Sequence, residues 1–211
     1  MFRFVLLIVS CLALTNADVF GSNSEDGLLS YVGLNNSRIN EMLNSDGLKF
    51  AGQCYYAVMK EEYNNSSQQP DIKDAQEMLK LADVLRNFSD CLEDTSFDVS
   101  IPRFVANTII FIIENLYGDA YDCIFKSNIE GLFIYCASQY NYTQTMEQLP
   151  QEFKNVSYCV AGKLSCSHSD IESFMAATHA GADLFSLLTN EEPGVPVFDS
   201  EVYENLYPNI D

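Results

Sequence analysis

Long apolar runs are missing from the middle of this chain, basic residues are few, histidine occurs twice, and no two cysteines form a Cys-x-x-Cys pair. Each absence excludes something. The most apolar central stretch, NTIIFIIENLYGDAYDC at 107–123, is uninterrupted only over 109–113 before Glu114 breaks it. Counting back to Ile101 meets Arg103 and Asn107, so the roughly 20 residues that a membrane-crossing helix needs are not there. Eleven basic against 30 acidic side chains, a formal net charge of -19, argue against nucleic acid, whose phosphates are bound by neutralising them. The same balance argues against an anionic membrane surface.

His168 and His179, with no close cysteine pair, make no zinc-type ligand set. A D-x-[DN]-x-[DN]-G calcium loop is also missing, so neither a metal nor a cofactor is expected. There is no G-x-S-x-G elbow for a nucleophilic serine. Alternating strand patterns and solenoid-length repeats are absent as well, which leaves an all-α expectation.

What is present begins with MFRFVLLIVSCLALTNA. Arg3, an apolar stretch over 4–14 and the small residues before Asp18 have the layout of a secretory signal, so 1–17 is expected to be removed. Beyond it stand six cysteines, Cys54, Cys91, Cys123, Cys136, Cys159 and Cys166. An even number behind such a segment predicts an oxidised, disulfide-bonded framework and an extracellular address. Asn35, Asn64, Asn65, Asn87, Asn141 and Asn155 each begin an N-x-[ST] sequon, and used sequons lie at the surface.

A hydrophobic share of 47% predicts one packed domain over 29–189, with five to seven helices around a central apolar one. Residues 18–28 are polar and expected to be loose, and 29–43 carries a short helix. A helix over 48–63 starts from Ser45-Asp46-Gly47. Asp71 opens an amphipathic helix in which Ile72, Ala75, Met78, Leu79, Ala82, Leu85, Phe88 and Leu92 share a face. Ser100 as N-cap and Pro102 in the first turn start a helix over 101–125 that Gly118 ends or bends. Shorter helices follow over 129–138 and over 146–153 with Pro150 interrupting, and 156–166 carries two cysteines seven residues apart. Ser169-x-x-Glu172 is a capping box for the last helix. From Asn190, NEEPGVPVFDSEVYENLYPNID has three prolines and no base, and 190–211 is expected to be a flexible acidic tail. Tyr203 and Tyr207, set among acids there, are candidates for sulfation.

Fifteen pairings of six cysteines are open. Two antiparallel helices turning at 126–128 would bring Cys123 level with Cys136, and a small loop across Gly162 would join Cys159 to Cys166. Cys54 is then left with Cys91, which a tight hairpin near Gln68 does not align and which needs an offset packing. The nearest approach to a catalytic pair is His179 and Asp183, one helical turn apart, as a base with its orienting acid. Glu114 and Asp119, beside Tyr117 and Tyr121, are a carboxylate pair that a secreted hydrolase would need. Neither pair carries a motif. The expectation is therefore a secreted glycoprotein that binds an extracellular protein and is not an enzyme. The alternative is a carrier of an apolar small molecule such as a lipid or fatty acid, with Phe104, Ile109, Ile112, Ile113 and Leu116 as its lining.

Overall fold

The computed structural model describes residues 45–63, 70–93, 95–118, 120–140, 148–189 and 197–207. The 1–17 segment, the short helix expected in 29–43, and the sequons at Asn35, Asn64, Asn65 and Asn141 lie outside these residues. So does Asp119. Among the described residues there are seven α-helices and no strand: α1 Asp46–Tyr63, α2 Ala75–Cys91, α3 Ser100–Tyr117, α4 Tyr121–Lys126, α5 Ile129–Ser138, α6 Leu149–Ala161 and α7 His168–Thr189. One 3₁₀ turn, Ser200–Tyr203, follows. No described helix is long and apolar enough to cross a membrane.

Two long helices, α3 and α7, pack against each other as a spine, because each is apolar on more than one face. On one side, Ala51 and Cys54 of α1 and Met78, Leu81, Ala82, Leu85 and Phe88 of α2 are buried with Phe104, Ile109 and Ile113 of α3. On the other, α5 and α6 close Cys136, Val156 and Val160 over Phe174 and Met175 of α7. Gly47 is where α1 comes closest to the start of the spine. A Cβ there would meet the Asp98 carbonyl oxygen at 1.9 Å, so glycine is what lets the two backbones touch.

Helix ends are where the structure departs from the expected boundaries, and each departure has a hydrogen-bond reason. α2 starts at Ala75, not Asp71, because the Asp74 carboxylate accepts from the amides of Gln76 and Glu77 at 2.8 and 3.2 Å. Ile72 therefore falls before the helix and is 38% exposed. Ser100 is not the N-cap of α3. It is the first helical residue, and its amide and hydroxyl both donate to Asp98, at 3.1 and 2.5 Å. Those bonds hold the Asp98 carboxyl below the usual carboxylate range.

The single helix expected over 101–125 is two. Gly118 separates α3 from α4, and a Cβ there would lie 2.5 Å from the Glu114 carbonyl oxygen. The short helix expected over 146–153 is conversely part of a longer one, α6, which runs on to Ala161. Pro150 sits in its first turn, where a missing amide costs nothing, and Gly162 follows its end. α7 begins one residue before Ser169. Its reciprocal cap is Ser167 with Asp170, amide to carboxylate and amide to hydroxyl at 3.2 Å each, so the Ser169–Glu172 box is not the one used.

Three disulfides staple this arrangement. Cys54–Cys91 joins α1 to the end of α2, with Cα atoms 5.9 Å apart, the expected pair that a tight hairpin would not align. The other two expected pairs are replaced by Cys123–Cys166 and Cys136–Cys159, at 5.7 and 5.8 Å. The reason is that α5 lies along α6 and makes no comparable contact with α4. Cys136 thus meets Cys159 on the facing helix, while Cys166, past the turn after α6, reaches α4.

Residues 197–207, part of the segment expected to be a flexible tail, lie across α3 and α7 as a strap. Phe198 packs within 5.5 Å of the Phe111 ring and 6.4 Å of Phe104, and Tyr203 within 5.4 Å of Phe111. Apolar rings placed every few residues give an otherwise acidic segment something to bury.

Candidate functional site at the C-terminal strap

Titratable side chains from three elements converge beneath the strap. On α7, Ala176, His179, Ala180 and Asp183 recur at three- and four-residue steps and so share a face. Lys154 of α6 donates from Nζ to Asp183 Oδ1 at 2.5 Å. The Tyr203 hydroxyl of the strap donates to Asp183 Oδ2 at 3.2 Å. One carboxylate therefore ties α6, α7 and the strap together. Burial, and then the Asp183 charge, hold the Tyr203 phenol above its ordinary range, so it remains a donor.

His179 sits beside this strut, 8% exposed, with the Tyr158 ring edge-on to its imidazole at 5.3 Å. Tyr158 in turn donates its hydroxyl to the Leu206 carbonyl of the strap at 3.2 Å. His179 Nε2 has no hydrogen-bond partner. Burial first, and then the positive charge of Lys154, push the His179 pKa down to about 4, against an opposing pull from Asp183. The imidazole is neutral at pH 7.

The expected His179–Asp183 pair is thus brought together, but both Asp183 oxygens are occupied by Lys154 and Tyr203. Lys154 and Tyr158 were not among the expected site residues, and Tyr203 was expected only as a sulfation candidate. Lys154 carried a signal, being a base among acids at a position that α6 turns inward.

A pH consequence follows. Between pH 6.5 and about 4 the unfolded chain protonates its histidine and the folded one does not, so stability falls as pH drops through that window and is unaffected above it. We expect a loss of ~2 kcal/mol from this group. In thermal melts from pH 7 to 4, His179→Leu should show a shallower acid decline than the parent, and an unchanged decline would remove His179 as its source.

The other expected residues are placed as follows. Phe104, Ile109 and Ile113 belong to the α1–α2–α3 core, Ile112 to the cluster under the strap, and half-buried Leu116 packs against the α6–α7 core and the strap cluster. They face three different sets of neighbours. Glu114 is ion-paired with Arg86, which also holds Asp83. Tyr117, Tyr121 and Phe125 stack in a ladder, and the two tyrosine hydroxyls donate to the Ile72 and Lys73 carbonyls, pinning the turn before α2. Cys123, Cys166 and Asp170 have ligand atoms close together, but the sulfurs are joined to each other and Asp170 caps α7.

Asn87 and Asn155 are exposed on α2 and α6. Tyr203, one sulfation candidate, is 8% exposed with its hydroxyl engaged by Asp183, and Tyr207 is half-buried, its ring 6.0 Å from the His168 ring. The cysteine bridges are compatible with an extracellular location. No protein-family model, no curated protein and no solved structure matches this chain.

Proposed function

We propose that this protein is secreted and glycosylated, and acts by binding an extracellular partner, not by catalysis. The observation that carries this reading is the double engagement of Asp183. Of the titratable groups gathered beneath the strap, the carboxylate is held by Lys154 and Tyr203, and the neighbouring imidazole is buried and neutral. A general base needs an open path to a substrate proton, and this arrangement serves as a strut. Three disulfides and an acidic balance support the extracellular address.

Exposed Asn87 and Asn155 are the described positions where sugar would stand. Their sequon hydroxyls on Ser89 and Ser157 are buried and bonded to Asn107 and to the Phe153 carbonyl, so attachment would precede formation of α2 and α6.

The test is organic-solvent extraction of the native protein purified from secreting cells, followed by mass spectrometry, with uptake of a fluorescent fatty acid measured in parallel. No released lipid and no uptake is the expected result. A stoichiometric lipid would overturn the reading in favour of an apolar carrier.

A further inference from the structure

α5 carries a single charged residue, Glu130, yet Cys136 is the only one of its ten residues that is buried. Aromatic rings stand open where α5 lies along α6. Tyr140, just past the end of α5, and Tyr158 of α6 are each 41% exposed. The Tyr135 ring of α5 already has the Lys163 ammonium over it, 4.7 Å from its centre. Exposed apolar surface of this kind marks a contact with something else.

Both open rings are tied to one residue, Asn155. The Tyr140 hydroxyl donates to the Asn155 carbonyl at 3.3 Å, which brings that ring onto the flank of α6. Tyr158 is three residues on from Asn155 and so its neighbour on the helix surface. Gln151, one turn earlier, donates to Asn155 Oδ1 at 3.2 Å, and Nδ2 is then the atom left for a substituent. Gln151, Asn155 and Tyr158 are all exposed and all uncharged. Asn155-Val156-Ser157 is a sequon, whose sugar is bonded to that same Nδ2.

We propose that the rings of Tyr140 and Tyr158 are the docking surface for the first sugar of an N-linked chain on Asn155. The N-acetylglucosamine that begins such a chain presents C–H groups, slightly positive, on the faces of its ring, and the face of an aromatic ring is slightly negative. An uncharged sugar suits an uncharged face on a chain of net charge -19. The bond to Nδ2 holds it at high effective concentration, so a weak contact suffices. The inference rests on the reading of a glycosylated protein and gives one sequon a structural task. Tyr158 also meets the His179 ring and donates to the Leu206 carbonyl, so the sugar steadies the link from α6 to the strap.

Proton NMR tests this on protein from secreting cells, trimmed with an endoglycosidase to one N-acetylglucosamine per occupied site. The acetyl methyl signal that Asn155→Gln removes is expected upfield of the others, shifted by the ring currents. It should return to its ordinary position when Tyr140→Ala and Tyr158→Leu are combined, and stay upfield in Tyr140→Phe, which keeps the ring. Tyr140→Ala alone, at an exposed position, should move it part of the way, and is run so that misfolding of the double variant does not end the test. In thermal melts, Asn155→Gln should lower Tm by about 2–4 °C in the parent and in Tyr140→Phe, and not measurably in the double variant. Circular dichroism confirms the fold of each.

An Asn155 methyl signal at the ordinary position overturns the proposal, as does an upfield signal that disappears with Asn141→Gln instead. An equal fall in Tm in every background does the same. Mass spectrometry of the Asn155 peptide separates the two kinds of failure. A bare Asn155 on a protein with sugar at other sequons overturns the proposal and leaves the glycosylated reading standing. A protein with no sugar at all removes both.

Discussion

A double substitution Cys123→Ser with Cys166→Ser should lower stability by about 4 kcal/mol, with a fall in Tm of roughly 8–16 °C. The bridge closes a sequence separation of 43 residues, and the cost of losing it is chiefly the conformational freedom that the unfolded chain regains. It is also what holds α4 to the entry of α7, an edge with little packing beyond Ile124 and Ala120. Urea denaturation of the variant against the parent measures the difference. A loss below about 1 kcal/mol would mean that the unfolded chain stays compact without the bridge. Mapping of proteolytic peptides under non-reducing conditions tests the connectivity itself, because only this pairing links the α4 peptide to the one that precedes α7.

Phe174→Ala is the second large effect, expected to cost about 3–5 kcal/mol. Phe174 is 2% exposed and packs against Phe133, which itself stacks on Phe153, so its ring joins α5, α6 and α7. Alanine would leave a cavity whose walls belong to three different helices, one of them fixed to a second by Cys136–Cys159, and such walls relax poorly. The neighbouring Met175→Leu, which keeps volume and apolarity at a 0% exposed position, should cost under about 1.5 kcal/mol. The contrast between the two in equilibrium denaturation separates loss of volume from general sensitivity of the site. Similar costs for both would contradict a close-packed core there.

The helical class and the course of α2 and α5 could be read from residue spacing, because amphipathic periodicity is a local property. α5 runs over Ile129–Ser138, the same residues that the pattern marks. Boundaries were less legible, since Asp71 and Asp74 are equally good caps on paper, and only the path of the chain decides which one meets free amides. The disulfide pairing was legible for Cys54 and Cys91 only as the remainder after the other two expected pairs, since a tight hairpin between their helices does not align them. It was not for the others, because α5 choosing α6 over α4 is a tertiary event.

The strap was hidden for a different reason. Its acids and prolines dominate the composition of 190–211, whereas its docking depends on Phe198, Tyr203 and Leu206 finding a floor of alanines made by α7. His179 and Asp183 could be paired from their four-residue spacing alone. That Asp183 would be claimed by Lys154, 29 residues away, could not.

The bridges also decide how the oxidised chain responds to tension. Cys54–Cys91 and Cys123–Cys166 close separations of 37 and 43 residues, with the third bridge nested inside the second, and none of the three crosses the stretch that holds α3. Pulled from its ends, the molecule is two locked knots on a single thread. On the order of 270 Å of contour stays hidden inside the knots. Among the helices, α3, α7 and part of α1 can pay out, and α7 leaves with the strap.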